Sequence, residues 1–142
     1  MIPGNEYENY TMKKILICIL LFCNAMAYSQ TQADMNNDAR ISYQKADKEL
    51  NNTYQNILIE YRTDSVFIKT LKASQRIWVS FRDAELKMKY PDREPGYYGS
   101  IQPMCVSNYL EQLTRERIKT LTVWLDGIEE GDGCAGSVKA KE

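Results

Sequence analysis

From about Ala33 to Tyr61 the chain contains neither glycine nor proline, and apolar residues recur at Tyr43, Ala46, Leu50, Tyr54, Ile57 or Leu58, and Tyr61. That spacing of three and four places them on one face of an α-helix and conflicts with the two-residue period of a strand. A helix with one apolar face needs other elements to cover it. Arg62-Thr63-Asp64-Ser65 breaks the pattern, and Thr63 or Asp64 is suited to cap a new helix. The second stripe follows as Phe67, Leu71, Ser74, Trp78, Phe81 and Glu85, flanked by Ile68, Ile77 and Ala84, and it runs to Pro91. The short link predicts that the first two helices lie antiparallel.

Residues 91–100 gather two prolines, two glycines and the pair Tyr97-Tyr98, which predicts a loop. Pro103 suits the first turn of a third helix, whose stripe is Val106, Leu110, Leu113, Arg117, Leu121, Trp124 and Ile128. The expected fold is all-α, a small antiparallel three-helix bundle with a Pro/Gly-rich loop between helices two and three.

Upstream lies a leader. Met12-Lys13-Lys14 precedes the apolar run Ile15 to Phe22 and then Cys23-Asn24-Ala25-Met26-Ala27. A basic start, a short apolar centre and small residues at the end predict a signal peptide over 12–29, cut after Ala27 or Ser29. The run is shorter than the roughly 20 residues of a membrane span. Phe22 stands where a lipid-attachment signal needs a small residue, so lipid anchoring is not expected. Glu6 and Glu8 do not suit the front of an export signal, so Met12 is expected as the true start and residues 1–11 as lying outside the working protein. The division that follows is a helical domain over 30–134 and a flexible tail over 135–142. The expected location is the periplasm or the medium, without membrane contact once the leader is removed, as a monomer.

Composition narrows the function. The net charge is −1, which argues against nucleic acid as a partner. The chain has no histidine, the commonest general base and a common metal ligand. No Gly-rich phosphate loop or clustered ligand set replaces it, so no catalytic residue, metal or cofactor is expected. After the leader only Cys105 and Cys134 remain, a candidate disulfide in an oxidising compartment. An unbroken helix from Cys105 to Glu129 would separate its ends by about 36 Å, whereas five more residues reach at most about 17 Å. The bridge therefore requires a shorter helix or a tail that folds back.

Polar residues share the apolar faces. Arg117 interrupts the third stripe, and Arg82-Asp83 follows Phe81. A guanidinium placed there needs carboxylates and hydrogen bonds. Asp47 and Asp83 are the expected partners of the two arginines, with Asn51 and Gln75 completing a network that fixes helix register.

Ala46-Asp47-Lys48-Glu49-Leu50-Asn51 with Tyr54, Ser74-Gln75-Arg76-Ile77-Trp78, and Phe81-Arg82-Asp83-Ala84-Glu85 resemble the signatures of the lysozyme inhibitor LprI family. Gly99-Ser100, Pro103-Met104-Cys105, Leu113-Thr114 with Arg117, and Glu130-Gly131-Asp132 with Cys134 continue the resemblance in order. It implies a secreted or periplasmic helical domain that binds a protein partner, lysozyme by the family's name. Relatives often carry two further cysteines where this chain has Asp38 and Leu86, which is consistent with loss of one disulfide as a unit. A loop with aromatic and hydrogen-bonding tips can block a substrate cleft at little entropic cost, and Arg93, Tyr97, Tyr98 and Ser100 fit that role best. The alternative is an envelope module that binds another secreted protein or peptidoglycan without inhibition.

Overall fold

The computed structural model describes the backbone of residues 5–141 and the side chains of residues 31–141. Three helices form in order: α1 (Asn5–Glu60), α2 (Ser65–Lys89) and α3 (Gln102–Asp126). The backbone of the expected leader runs within α1. Its side chains, cleavage at Ala27 or Ser29 and a start at Met12 lie outside the described side chains.

Local chemistry sets the helix ends. Asp64 Oδ1 accepts the Phe67 backbone N–H at 2.9 Å, so Asp64 is the cap of α2. α3 has no such residue at its own N-cap, because Ile101 offers no acceptor. Asn36, from α1, supplies it: its Oδ1 accepts the Met104 N–H at 3.2 Å and its Nδ2 donates to the Ser100 carbonyl at 3.0 Å. Pro103 in that first turn has no N–H to satisfy.

The helices form an all-α bundle in which sequence neighbours run antiparallel. Asp47 meets Arg82, and Tyr109 meets Glu85 while Arg117 meets Gln75. α1 and α3 consequently run parallel, and they form the closest helix pair. Their seam explains the approach. Gln32, Ala39, Ala46 and Thr53 recur every seven residues on α1, Ser107, Thr114 and Leu121 do so on α3, and all seven are buried. Five of them, Ala39, Ala46, Thr53, Ser107 and Thr114, are small, and small side chains at that spacing let two backbones come together. Leu50, Ile57 and Ile118 fill the space beside them.

This corrects the stripe expected on α3. Thr114 and Ile118 are the buried faces, whereas Leu110, Leu113 and Arg117 are half-buried. α2 adds Phe67 and Leu71 to the core, with Trp78 and Trp124 packed against it. The second half of α2 turns Arg82 inward, and Phe81, expected in the stripe, is exposed.

Residues 135–141, expected as a flexible tail, fold back onto the bundle. Gly127, at φ +74°, ends α3, and a Cβ there would meet the Lys139 carbonyl oxygen at 2.9 Å. Ile128 and Ala140 form an isolated parallel bridge. Tyr61 ties the arrangement: its hydroxyl donates to the Trp124 carbonyl at 3.0 Å and accepts the Lys139 N–H at 3.1 Å. Even so, Cys105 and Cys134 are free, so the candidate bridge is not formed. α3 is unbroken from its first turn, and the returning tail docks at the far end of the helix from Cys105.

Candidate functional site

The loop between α2 and α3 is exposed but internally braced. Gly96 and Gly99 adopt φ +84° and +71°, which allows the turns closed by Tyr97 N–H to Glu94 (3.1 Å) and Gly99 N–H to Gly96 (3.0 Å). Tyr98 packs edge-on to Tyr90 at 5.6 Å and to Tyr97 at 4.9 Å, between ring centroids. Its hydroxyl donates to the Pro91 carbonyl at 2.8 Å. The Arg93 guanidinium lies 5.7 Å from the Tyr97 ring centre. Asn36 then anchors the loop's far end through Ser100.

The four loop residues expected to act together do so in different ways. Arg93 and Tyr97 form an exposed tip, Tyr98 is the half-buried strut behind it, and Ser100 is the anchoring point. Tyr90 and Asn36 belong to the same unit and were missed from sequence. Tyr90 reads as the last residue of a helix, while Asn36 stands 64 positions before Ser100, the loop residue that it holds. Burial raises the Tyr90 phenol pKa above its usual value, with Cys105 and Tyr98 adding to the shift.

The expected polar network separates into two halves. Arg82 Nη2 meets Asp83 Oδ1 at 2.8 Å, and Nη1 lies 3.9 Å from Asp47 Oδ1. Asn51 donates to Asp47 Oδ2 at 3.2 Å. Arg117 takes neither carboxylate. Its Nε donates to Gln75 Oε1 and its Nη2 to Ser74 Oγ, both at 3.1 Å. The reason is axial position: Arg117 faces residues 74–78 of α2, whereas Asp47 and Asp83 lie beside Arg82, further along that helix. Burial alone lowers the Arg117 pKa. Trp78 joins the halves, with the two guanidinium carbons 5.6 Å (Arg82) and 5.9 Å (Arg117) from its ring centre.

Beside Arg117 a cleft of about 190 Å³ opens between α2 and α3, lined by Phe67, Leu71, Leu121, Trp124 and the tail's Ser137. It is smaller than most small-molecule sites. Among the described residues no three Cys, Asp or Glu side chains group as a metal site would require.

Fold and site define a class: a short helical protein that presents a pre-shaped aromatic loop at one end of a bundle. The family model of lysozyme inhibitor LprI matches residues 23–121, and the chain belongs to that family. The match ends at Leu121 and leaves out the returning tail. An uncharacterized protein of Rhizobium meliloti (strain 1021) is 29% identical over 134 residues, covering 80% of this chain and 94% of the relative. No solved structure matches the chain.

Proposed function

We propose that this protein works in the periplasm or medium as an inhibitor of a lysozyme-type cell-wall hydrolase, binding through the loop between α2 and α3. Family membership supports the inhibitor class. The observation that carries the choice of surface is the braced Tyr90–Tyr98–Tyr97–Arg93 stack, held at its other end by Asn36. A loop already ordered before binding loses less conformational freedom when it enters a cleft. Asp92 and Glu94 are exposed beside the tyrosines, but Arg93 between them and Lys89 before them offset their charge, so the proposed affinity rests on shape and aromatic contact and not on electrostatic steering.

The test is a muramidase assay with the full chain. Inhibition near one-to-one stoichiometry is expected, and Tyr97→Ala with Tyr98→Ala should weaken it about tenfold or more, as loss of an aromatic anchor does, with helicity unchanged by circular dichroism. Full inhibition by that variant would move the site off the loop. Retention on peptidoglycan without inhibition by the native chain would instead favour a wall-binding module.

A further inference from the structure

α2 carries a second face that no other element covers among the described residues. Val66, Ile77, Phe81 and Met88 are 72%, 70%, 50% and 70% exposed. With Thr70, Ala73 and Ala84 they recur at intervals of three and four along the whole helix, forming a stripe beside the one that meets α3. Isolated exposed apolar residues are ordinary, whereas a continuous stripe this long marks a surface that meets something.

The charges beside it identify the partner's sign. α2 holds six Lys or Arg against two acids, in a chain whose net charge is −1. Glu85 is engaged on the inner side, accepting from the Tyr109 hydroxyl at 3.1 Å, while Asp83, exposed on the same flank as Lys72 and Arg76, is paired with Arg82. Lys69, Lys72, Arg76 and Lys87 line the outer flank of the stripe, and none of them has an ion pair among the described residues. A second copy docked stripe to stripe would bring these cations together. A polyanion would satisfy the cations but leave Ile77, Phe81 and Met88 in water. An anionic lipid surface satisfies both, since a helix lying flat sinks its apolar side among acyl chains and keeps lysines at the headgroups.

We propose that α2 is a membrane-surface contact, its outer stripe of Val66, Ile77, Phe81 and Met88 entering an anionic lipid headgroup layer while Lys69, Lys72, Arg76 and Lys87 bind the phosphates. This departs from the expectation of no membrane contact, which rested on the absence of a retained span. A helix lying on the surface needs none. The contact shares no residue with the loop unit, although Met88, at the end of the stripe, lies two residues before Tyr90.

Hydrogen–deuterium exchange of the full chain tests this, read over residues 65–89 so that the leader, common to every sample, does not contribute. The chain is compared alone, with phosphatidylcholine vesicles, and with vesicles containing phosphatidylglycerol. The expected result is exchange in α2 slowed about tenfold by the anionic vesicles only, and restored by high salt. The quadruple Lys69→Glu, Lys72→Glu, Arg76→Glu, Lys87→Glu variant should lose the protection. So should Ile77→Ser with Phe81→Ser, each with helicity retained. If charge reversal unfolds the chain, the same four positions changed to Gln should still lose most of the protection. Equal protection by neutral vesicles, or none by anionic ones, overturns the proposal. Equal protection by polyglutamate would reduce the face to a charge reader. Protection that grows with protein concentration without lipid would assign the face to a second copy.

Discussion

The seam between α1 and α3 and the seam that holds α2 are both made by amphipathic helices, yet they are built from opposite materials. Ala39, Ala46, Thr53, Ser107 and Thr114 let two backbones approach closely, and Ala46 and Thr114 are entirely buried. α2 is held through long groups: Phe67 and Leu71 at its start, then Trp78 between two arginines, then Arg82 reaching Asp47. The apolar period places a helix on a core, while side-chain volume at the seam decides how near it comes. Close seams punish added volume, and wide seams punish lost reach.

The contrast can be broken most directly by Ala46→Leu. Forcing a larger side chain into the close seam should cost about 3 kcal/mol, the upper end of ordinary overpacking, read from urea unfolding of the full chain. Ala73→Leu, the same enlargement on half-exposed α2, should cost well under 1 kcal/mol on the scale of surface changes. Because Ala73 lies on the uncovered face of α2, equal penalties would show that the α1–α3 seam has room for the larger side chain. Arg117→Ala comes next, with a loss of about 1–2 kcal/mol for two hydrogen bonds to neutral acceptors and contact with Trp78. A Gln75→Glu companion change sharpens this, because a carboxylate opposite Arg117 should raise the melting temperature.

Thr114→Val has the opposite sign. The Thr114 hydroxyl is buried with no hydrogen-bond partner, so removing it should stabilise the fold by about 1 kcal/mol in the same measurement. An unchanged midpoint would mean that the hydroxyl costs nothing where it lies.

The smallest effect concerns pH. The hydrogen bond from Arg115, followed by one from Ser42, lowers the Glu111 pKa below the ordinary value of 4.5, and Lys139 does the same for Glu60. A carboxylate with a depressed folded pKa contributes stability that is fully present above that ordinary value and is lost as pH falls through the folded one. Melting temperature should therefore decline from about pH 4.5 downward, and the slope should shrink in Glu60→Gln with Glu111→Gln.

What could be read from the sequence follows the same division. The three helices, the Asp64 cap and the loop are signalled by periodicity and local chemistry, which act over a few residues. The α1–α3 seam is signalled only at Ala46 and Leu121, because Ala, Ser and Thr are weakly apolar and a hydrophobic stripe passes over Ala39, Thr53, Ser107 and Thr114 in favour of residues such as Leu110 and Leu113. Arg117's partners were misassigned because helix level, not residue type, selects them, and a displacement of about two turns exchanged a carboxylate for Gln75. The tail's return depends on Gly127, whose glycine-rich surroundings read as slack chain until Tyr61 and Lys139 are seen to meet.

Because the closest seam joins the first helix to the last, α1 and α2 alone have no partner for Ala39, Ala46 and Thr53. A ribosome-bound chain cannot complete its core until residues near Leu121 have been made. Closure must then bridge more than sixty residues, a separation that slows folding. Export as an extended thread, as proposed above, would benefit from that delay: the residues that lock the structure are among the last to arrive, and the first to arrive remain open until they do.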